Sequence, residues 1–464
     1  MSKKGSPAVA GKAELGILLS KSGAIFIGRV KEGVEGGTAL LVSIRPWSPV
    51  HLSIQGESCI DGAQLNEQLE FSVVPSPSRM IAGTAAAHQA EAARGVPAIP
   101  VLRIEKPALV VVVDTEEEFD WSKAFSRSAI SVDHIKHLDR TQRIFERYGI
   151  KPTYVVDFAV ASQEQAFRPI REWLADGQCT LGAHLHPWVN PPYEEELSVR
   201  NSFPGNLPAA LERAKLARLT DTIIGNFGHR PTVYRAGRYG IGGATGGILE
   251  ELDYEVDTSV VPATDFSEGG GPDFTNASPD PFWFGPTGRV LEVPLTVGWC
   301  GSLRGRAGAL APALMSRLAM QCHLPGVFAR LGLLERIRLT PEGMSLADLK
   351  RVTDTLLSAG RRLFVLSYHS PSVVPGNTPY VRDEAELQRF LGVIEQYCEY
   401  FLGTCAGAGM TFDNVRSVYL KAIPAGAAER HLDTPELNLP MIGTQSFRSM
   451  HGDMNPGLRV IEAG

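Results

Sequence analysis

The sequence predicts an α/β protein in which a mostly parallel sheet is covered by helices. Residues 108–113 form a continuous apolar run of strand length, which is typical of a strand buried on both faces. Strand-like and helix-like segments then alternate, an order that favours either a barrel or a doubly wound layer. Since about 300 residues belong to this one unit, a barrel with insertions is the better prediction.

Hydrophobic spacing and turn residues define the individual elements of this unit. Gly149 stands where a helix-ending glycine belongs, and Ser345 and Asp383 are of the types that begin helices. The predicted elements after the first strand are a helix over 131–148, a strand over 153–156, a helix ending near 176, a strand over 181–184, a helix from about 245, a strand ending at 257, a helix from 345 to 359, a strand over 363–366, a helix from 383 and a last strand over 410–412.

Three further regions surround the predicted barrel, which spans residues 107–415. Residues 1–82 contain short runs of β-forming residues separated by glycine-bearing turns, and so predict a small β-rich domain. Residues 83–106 are Ala-rich and then Pro-punctuated, as a linker would be. Residues 416–464 are predicted to form an irregular tail.

Composition excludes several classes of protein. The 464 residues are 44% hydrophobic and 21% charged, so the chain is not wholly disordered. Its net charge is −6, which argues against a dedicated nucleic-acid binder. No apolar run approaches the roughly 18 residues of a membrane-spanning helix, and the N-terminus has no signal-peptide core. With six cysteines and no CxxC pair, the sequence predicts a cytoplasmic enzyme or binding protein with reduced thiols.

Four acids fall in the first five positions of the stretch DTEEEFDW, which follows the first buried strand. They are Asp114, Glu116, Glu117 and Glu118. Carboxylates packed so closely repel one another unless a cation or a proton is shared among them. Functional sites in α/β folds lie at the carboxyl ends of strands, so a site is predicted here in preference to a solvated acidic loop.

The stretch GAHLHPW follows another predicted strand. In an extended chain, residues two apart point to the same side, so His184 and His186 can present two imidazoles to one point. Zinc and related ions are commonly held by two histidines and a carboxylate. The HxH pair and the acid cluster together therefore predict a metal site.

Three more polar residues lie at predicted strand ends: Arg235, Asp257 and His369. An arginine facing the acid cluster would orient one carboxylate and favour its ionised form. A lone histidine is more often structural than catalytic. The repeated placement of polar groups at strand ends is the evidence that these residues belong to one site.

Taken in order, these motifs resemble those of the NodB-like polysaccharide deacetylases, the fourth carbohydrate esterase family, and most closely its WalW branch. The resemblance covers about residues 107–415 and implies a distorted (β/α) barrel with five motifs at the strand ends. The first motif of that family supplies a base and a metal ligand. The alignment of DTEE with it places Glu116 at the base and Glu117 at the ligand, with Asp114 as an extra acid. The roles of these three acids remain open at this point.

The resemblance extends to the other four motifs. His184 and His186-Pro187 match the second motif, with a shortened spacing, and Arg235 matches the arginine that steadies the base. Asp257 matches the acid that supports the catalytic histidine, and His369 matches that histidine.

The resemblance implies a metal-dependent hydrolase that removes N-acyl groups, acetyl foremost, from the amino sugars of a polysaccharide or glycolipid. The implied partner is thus an N-acetylated carbohydrate. Zinc is the expected metal, with cobalt, nickel or manganese as alternatives. The competing functions are a related C–N hydrolase, such as a sugar deformylase or an amidohydrolase, and a non-catalytic glycan-binding relative.

Aromatic residues near the motifs are candidates for contact with sugar rings. Trp121, Trp188 and Tyr239 lie in or beside the first three motifs and offer flat apolar surfaces. The alternative for each is ordinary packing in the core. We expect these three to bind substrate.

Overall fold

The computed structural model describes residues 13–19, 25–31, 104–120 and 123–422. The chain divides into two compact units, Met1–Pro77 and Ser78–Gly464. In the first unit, β1 (Ala13–Leu19) pairs antiparallel with β2 (Ile25–Lys31). The rest of the predicted 1–82 domain, residues 83–103 of the predicted linker and residues 423–464 of the predicted tail lie outside the described residues.

The second unit alternates strands with helices. Its described strands are β3 (Ala108–Thr115), β4 (Thr153–Val156), β5 (Thr180–Leu185), β6 (Val233–Ala236), β7 (Val256–Asp257), β8 (Phe282–Phe284), β9 (Val290–Glu292), β10 (Val297–Cys300), β11 (Glu335–Arg338), β12 (Leu363–His369) and β13 (Ala408–Gly409). Its described α-helices are α1 (Asp139–Arg147), α2 (Phe158–Ser162), α3 (Glu164–Ala175), α4 (Ala209–Phe227), α5 (Thr245–Glu251), α6 (Ala307–Leu314), α7 (Arg317–Gln321), α8 (Leu324–Arg330), α9 (Leu346–Ser358), α10 (Glu384–Glu399) and α11 (Phe412–Lys421).

Most of these strands form one sheet in the order β12-β3-β4-β5-β6-β7-β9-β8, and β13 pairs with β3. All of its pairings are parallel except that of β8 with β9. The antiparallel pair β10–β11 continues toward β12, because the Ser367 amide donates to the Leu339 carbonyl at 3.3 Å. The result is an open, distorted (β/α) barrel, which confirms the predicted fold class. The carboxyl ends of its parallel strands share one edge.

The interior of β3 shows why its sequence is apolar without alternation. Leu109, Val111 and Val113 pack into one hydrophobic cluster, whereas Val110 and Val112 pack into another on the opposite face of the strand. All five side chains are fully buried. Such two-sided burial is the normal situation of a central parallel strand.

Several predicted element boundaries differ from the observed ones. The helix predicted over 131–148 is a 3₁₀ turn, Asp133–His137, followed by α1. Gly149 has the left-handed φ of +63° expected after a helix, and Ser345 forms a capping box with Asp348. The strand predicted over 410–412 is wrong, because a capping box from Thr411 begins α11 there, and α11 extends past the predicted barrel end at 415. Among the described residues, no helix is both long and apolar enough to cross a bilayer.

Candidate active site

The ends of β3, β5, β6 and β12 bring the predicted polar residues together. In the sheet register, Asp114 lies beside His369, and His184 lies beside Arg235. The loop after β6 passes so close to β5 that a Cβ on Gly237 would lie 2.4 Å from the Leu185 carbonyl oxygen. Only glycine permits this approach without displacement of the backbone.

His184, His186 and Glu116 converge on one point. Glu116 Oε2 lies 3.3 Å from His184 Nε2 and 3.4 Å from His186 Nε2, and all three side chains are at least 96% buried. The ligand atoms of this group all lie within 4.8 Å of one another, as the donors of a metal site do. Glu116, and not Glu117, is thus the acid that shares a site with both Nε2 atoms.

The other ring nitrogens fix the tautomers of these histidines. His184 Nδ1 lies 3.0 Å from the Arg235 carbonyl oxygen, which can only accept, so the His184 proton is on Nδ1. His186 Nδ1 lies 2.8 Å from Glu117 Oε2, and Trp188 Nε1 donates to Glu117 Oε1 at 2.7 Å. When both rings are neutral and Glu117 is ionised, both Nδ1 atoms donate and both Nε2 atoms present lone pairs to Glu116.

Burial and neighbouring charge set the ionisation of this cluster. Burial raises the pKa of Glu116, but His369, His184 and His186 outweigh it and bring that pKa to about 2. Burial lowers the pKa of His186 and raises the pKa of Glu117 to about 7. Glu116 is therefore a carboxylate, and His186 is a neutral imidazole at neutral pH.

Asp114 lies beside this cluster, between an arginine and a histidine. Arg235 Nε is 2.9 Å from Asp114 Oδ1, and the Arg235 side chain is fully buried. His369 Nε2 is 3.7 Å from Asp114 Oδ2. The Arg235 carbonyl oxygen also accepts the hydrogen bond from His184 Nδ1, so Arg235 orients both Asp114 and a candidate ligand.

The acid that supports His369 is Glu342. His369 Nδ1 lies 2.8 Å from Glu342 Oε2, and the His369 backbone N–H donates to Glu342 Oε1 at 3.1 Å. Burial lowers the pKa of His369, but the charges of Glu342 and Glu116 dominate and hold it well above the usual range of histidine. The ring is thus an imidazolium at neutral pH.

The predicted pairing of Asp257 with His369 is wrong. Asp257 instead accepts a hydrogen bond from Ser259 at 2.5 Å and forms a buried carboxyl pair with Glu292. Burial raises the pKa of Asp257 to about 6. The Nδ1 atom of His369, which a supporting acid would contact, is already occupied by Glu342.

The aromatic residues predicted to bind substrate are packed side chains where the structure describes them. Trp188 is only 1% exposed, and its ring stacks on His186 with 4.3 Å between centroids. Tyr239 packs against the guanidinium groups of Arg235 and Arg338, each 5.0 Å from its ring centroid. Neither ring offers a free face to a sugar, because both rings pack against neighbouring side chains and their polar atoms are hydrogen-bonded to Glu117 and Arg338. Trp121 lies outside the described residues.

A buried hydrogen-bonded chain that the sequence patterns missed joins the ends of β3 and β12. His134 Nε2 lies 2.7 Å from Ser370 Oγ, and His134 Nδ1 lies 3.2 Å from Glu118 Oε1. The Glu116 backbone N–H also donates to Ser370 Oγ, at 3.3 Å. Ser370 is fully buried, so this hydrogen-bond network holds Glu116 and His369 in place and does not present a nucleophile.

Comparisons with known proteins identify similar folds. No protein-family model and no curated protein matches the sequence. A structure from Mycobacterium smegmatis, described as a polysaccharide deacetylase, is 15% identical, with 70% of this chain and 95% of that chain covered and a TM-score of 0.41. A family 4 carbohydrate esterase from Streptomyces lividans is 8% identical, with 66% and 91% covered and a TM-score of 0.32. A family 4 pseudoenzyme from Bacillus anthracis is 7% identical, with 67% and 66% covered and a TM-score of 0.33.

All three TM-scores lie below 0.5, so these similarities carry no argument about the site. The fold and the side chains define an open (β/α) barrel with a histidine–carboxylate cluster at the carboxyl ends of its strands.

Proposed function

We propose that the protein is a metal-dependent hydrolase that removes N-acyl groups, acetyl foremost, from amino sugars of a polysaccharide or glycolipid. The observation that carries this proposal is the convergence of two imidazole lone pairs on the Glu116 carboxylate. Three acceptor atoms that face one another without a proton between them repel. A cation among them converts this repulsion into attraction.

The donor set suits a catalytic divalent metal. Two neutral imidazoles and one carboxylate, each His oriented through its Nδ1, are the ligands and supporting contacts that zinc takes in hydrolases. Cobalt, nickel and manganese accept the same donors. His184, His186 and Glu116 would hold the ion. When bound, it lowers the pKa of water and polarises an acyl carbonyl.

The roles of the first-motif acids follow from their contacts and differ from those that the resemblance implied. Glu116 is the ligand, because its Oε2 meets both Nε2 atoms. Glu117 supports the site from behind, because its two oxygens contact His186 Nδ1 and Trp188 Nε1. Asp114, held by Arg235, is the general base that removes the proton of the attacking water.

His369 is the general acid. An amine leaves an acyl group readily only after it has been protonated, and the imidazolium that Glu342 maintains can supply that proton from Nε2. His369 Nε2 lies 3.7 Å from Asp114 Oδ2, so the proposed acid and base adjoin the same part of the site. The amino-sugar part of the proposal rests on the resemblance of the five strand-end motifs.

Elemental analysis combined with acetate release from a panel of N-acetylated amino-sugar oligomers tests this function. We expect the wild-type chain to bind one metal ion and to release acetate. Glu116→Gln and the double variant His184→Ala/His186→Ala should lose the metal. Glu117→Gln should weaken metal binding by about 10–100-fold, the usual effect of a supporting contact. Glu172→Gln, on an exposed glutamate of α3, is the matched control.

Two outcomes would overturn the proposal. Full metal occupancy in the double histidine variant would show that other residues hold the ion. A wild-type protein that binds metal and glycan but releases acetate from no member of the panel would instead identify a non-catalytic glycan-binding relative.

A further inference from the structure

Two arginines lie on one face of β11, beside the proposed reaction centre. Arg336 and Arg338 are two residues apart in an extended strand, so their side chains point to the same side. Arg338 donates to the Tyr239 hydroxyl and, at 3.1 Å, to Ser367 Oγ. Ser367 lies two residues before His369 in β12, which places Arg338 close to the proposed general acid.

The partners of both arginines are uncharged. Arg336 donates to Thr264 Oγ1, and the partners of Arg338 are the two hydroxyls of Tyr239 and Ser367. Within the described part of the chain, neither guanidinium forms an ion pair with a carboxylate. Arg338 Nε is buried and has no hydrogen-bond acceptor among these residues.

Such an arrangement is unfavourable in the protein alone. Removing a guanidinium from water without a carboxylate partner carries a large desolvation penalty. Burial and the nearby charge of Arg338 together lower the pKa of Arg336 to about 10. Burial also lowers the pKa of Arg338, but Tyr239, Asp114 and Glu342 outweigh it and hold that pKa above its usual value. Arg336 is therefore kept beside a like charge that destabilises its own. Paired like charges of this kind are characteristic of sites for anionic ligands.

The other charges at the mouth of the barrel are already balanced. Asp114 is paired with Arg235, and Glu342 is paired with His369. Glu116 would be neutralised by the divalent metal of the proposed function. Arg336 and Arg338 then remain as an excess of positive charge, in a chain whose net charge is −6. This local excess would attract an anion to the mouth.

We propose that Arg336 and Arg338 form a subsite for a carboxylate or phosphate group of the substrate, which is therefore an anionic N-acylated amino sugar. The planar guanidinium donates in a fork that matches either anion. Tyr239 connects the subsite to the reaction centre, since its ring centroid lies 5.0 Å from the guanidinium groups of both Arg338 and Arg235, the residue that holds Asp114. The inference rests on the proposed function for the location of the scissile amide.

Calorimetric titration of the full chain with three matched probes tests the subsite. The probes are the N-acetylglucosamine tetramer, the same tetramer oxidised to C6 carboxylates, and the same tetramer carrying 6-phosphates. At low ionic strength we expect at least one anionic tetramer to bind about tenfold more tightly than the neutral one, the size of one charge-assisted hydrogen bond. Which of the two anionic tetramers binds more tightly distinguishes a carboxylate from a phosphate.

The variants assign the preference to particular side chains. Arg336→Gln should bring the anionic tetramers close to the affinity of the neutral one, and Arg338→Lys should retain only part of the preference because it lacks the fork. Arg168→Gln, on an exposed arginine of α3, should leave it unchanged. Equal affinity for all three tetramers, including no detectable binding of any, would overturn the subsite. So would a preference that survives Arg336→Gln intact.

Hydrolysis of a neutral aryl acetate distinguishes this failure from failure of the proposed function. The ester needs the metal site but no anionic group, so its cleavage by the wild-type chain reports on the proposed function alone. A wild-type chain that cleaves the ester but does not distinguish the tetramers refutes the subsite alone. A wild-type chain that neither holds metal nor cleaves the ester refutes the proposed function.

Discussion

The contact between Glu342 and His369 predicts a selective effect of Glu342→Gln. Glu342 Oε1 accepts hydrogen bonds from the His369 backbone N–H at 3.1 Å and from the Ser372 hydroxyl at 2.5 Å. Glu342 Oε2 lies 2.8 Å from His369 Nδ1. Glutamine has the same shape but only one oxygen. With that oxygen in the place of Oε1, it still accepts from the His369 N–H and from Ser372, and its NH2 group faces His369 Nδ1. The substitution therefore removes both the negative charge and the acceptor that stabilise the imidazolium.

The size of the effect follows from the strength of that contact. A hydrogen bond to a charged group is worth about 1.5–3 kcal/mol. The imidazolium loses this bond, so deacetylation should fall by about 10- to 150-fold. His369→Ala, which removes the acid altogether, should cost about 10²-fold or more.

The pH profile gives the sign of the effect. The negative charge of Glu342 raises the His369 pKa, so the active imidazolium persists to higher pH than in an isolated histidine. Without this charge, the ring loses its proton at lower pH. The alkaline limb of the deacetylation profile should therefore shift to lower pH in Glu342→Gln.

The assay compares kcat/KM for an N-acetylated amino sugar with that for an aryl acetate, whose leaving group needs no proton. Glu342→Gln should depress the amide reaction more than the ester reaction, with metal content unchanged. Asp257→Asn is the control and should keep the wild-type ratio of the two rates, because Asp257 contacts Ser259 and not His369. Equal losses on both substrates with the metal retained, or an altered ratio in the control, would refute this assignment of Glu342.

Three further predictions concern stability and domain organisation. Burial raises the pKa of Asp257 to about 6 and also raises the pKa of Glu292, so the folded state holds protons that the unfolded chain releases as pH rises from about 4 toward 6. The melting temperature of the wild-type chain should therefore fall over that pH interval by more than that of Asp257→Asn. A larger fall in the variant would contradict this. Ser370→Ala leaves the Glu116 N–H and His134 Nε2 without their partner, so denaturant titration should show a loss of about 1–3 kcal/mol, whereas exposed Ser358→Ala should show little change. A truncated chain beginning near Val101 should fold and bind metal, and a folded but metal-free product would disprove the predicted independence of the N-terminal region.

The histidine pair was predictable because its geometry is local. His184 lies in β5 and His186 directly follows it, so the two-residue period of an extended chain suffices to bring their Nε2 atoms together. The buried strand β3 was equally predictable from its unbroken apolar run. Its parallel neighbours then place Asp114, Arg235 and His369 at the same edge of the sheet.

Glu342 could not be predicted from local patterns. It lies in the turn between β11 and α9, where an acid is ordinarily a solvated or capping residue. Its position depends on long-range contacts, since the Leu339 amide donates to the Thr296 carbonyl at 2.9 Å and the Leu339 carbonyl accepts from Ser367. These bonds bring the turn beside the end of β12, and nothing in the spacing of the sequence indicates them.

The acid cluster shows how a shift of one residue exchanges roles. The alternation that joins His184 and His186 also places Asp114 and Glu116 on one side of the chain, toward Arg235 and the imidazoles. Glu117 points to the other side, where it meets His186 Nδ1 from behind. The motif letters alone align Glu117 with a ligand, but strand geometry favours Glu116 as the proposed ligand and Asp114, two residues earlier, as the proposed base. The D-x-E and H-x-H spacings are therefore the same geometric arrangement at the ends of β3 and β5, each of which presents alternate side chains to the same site.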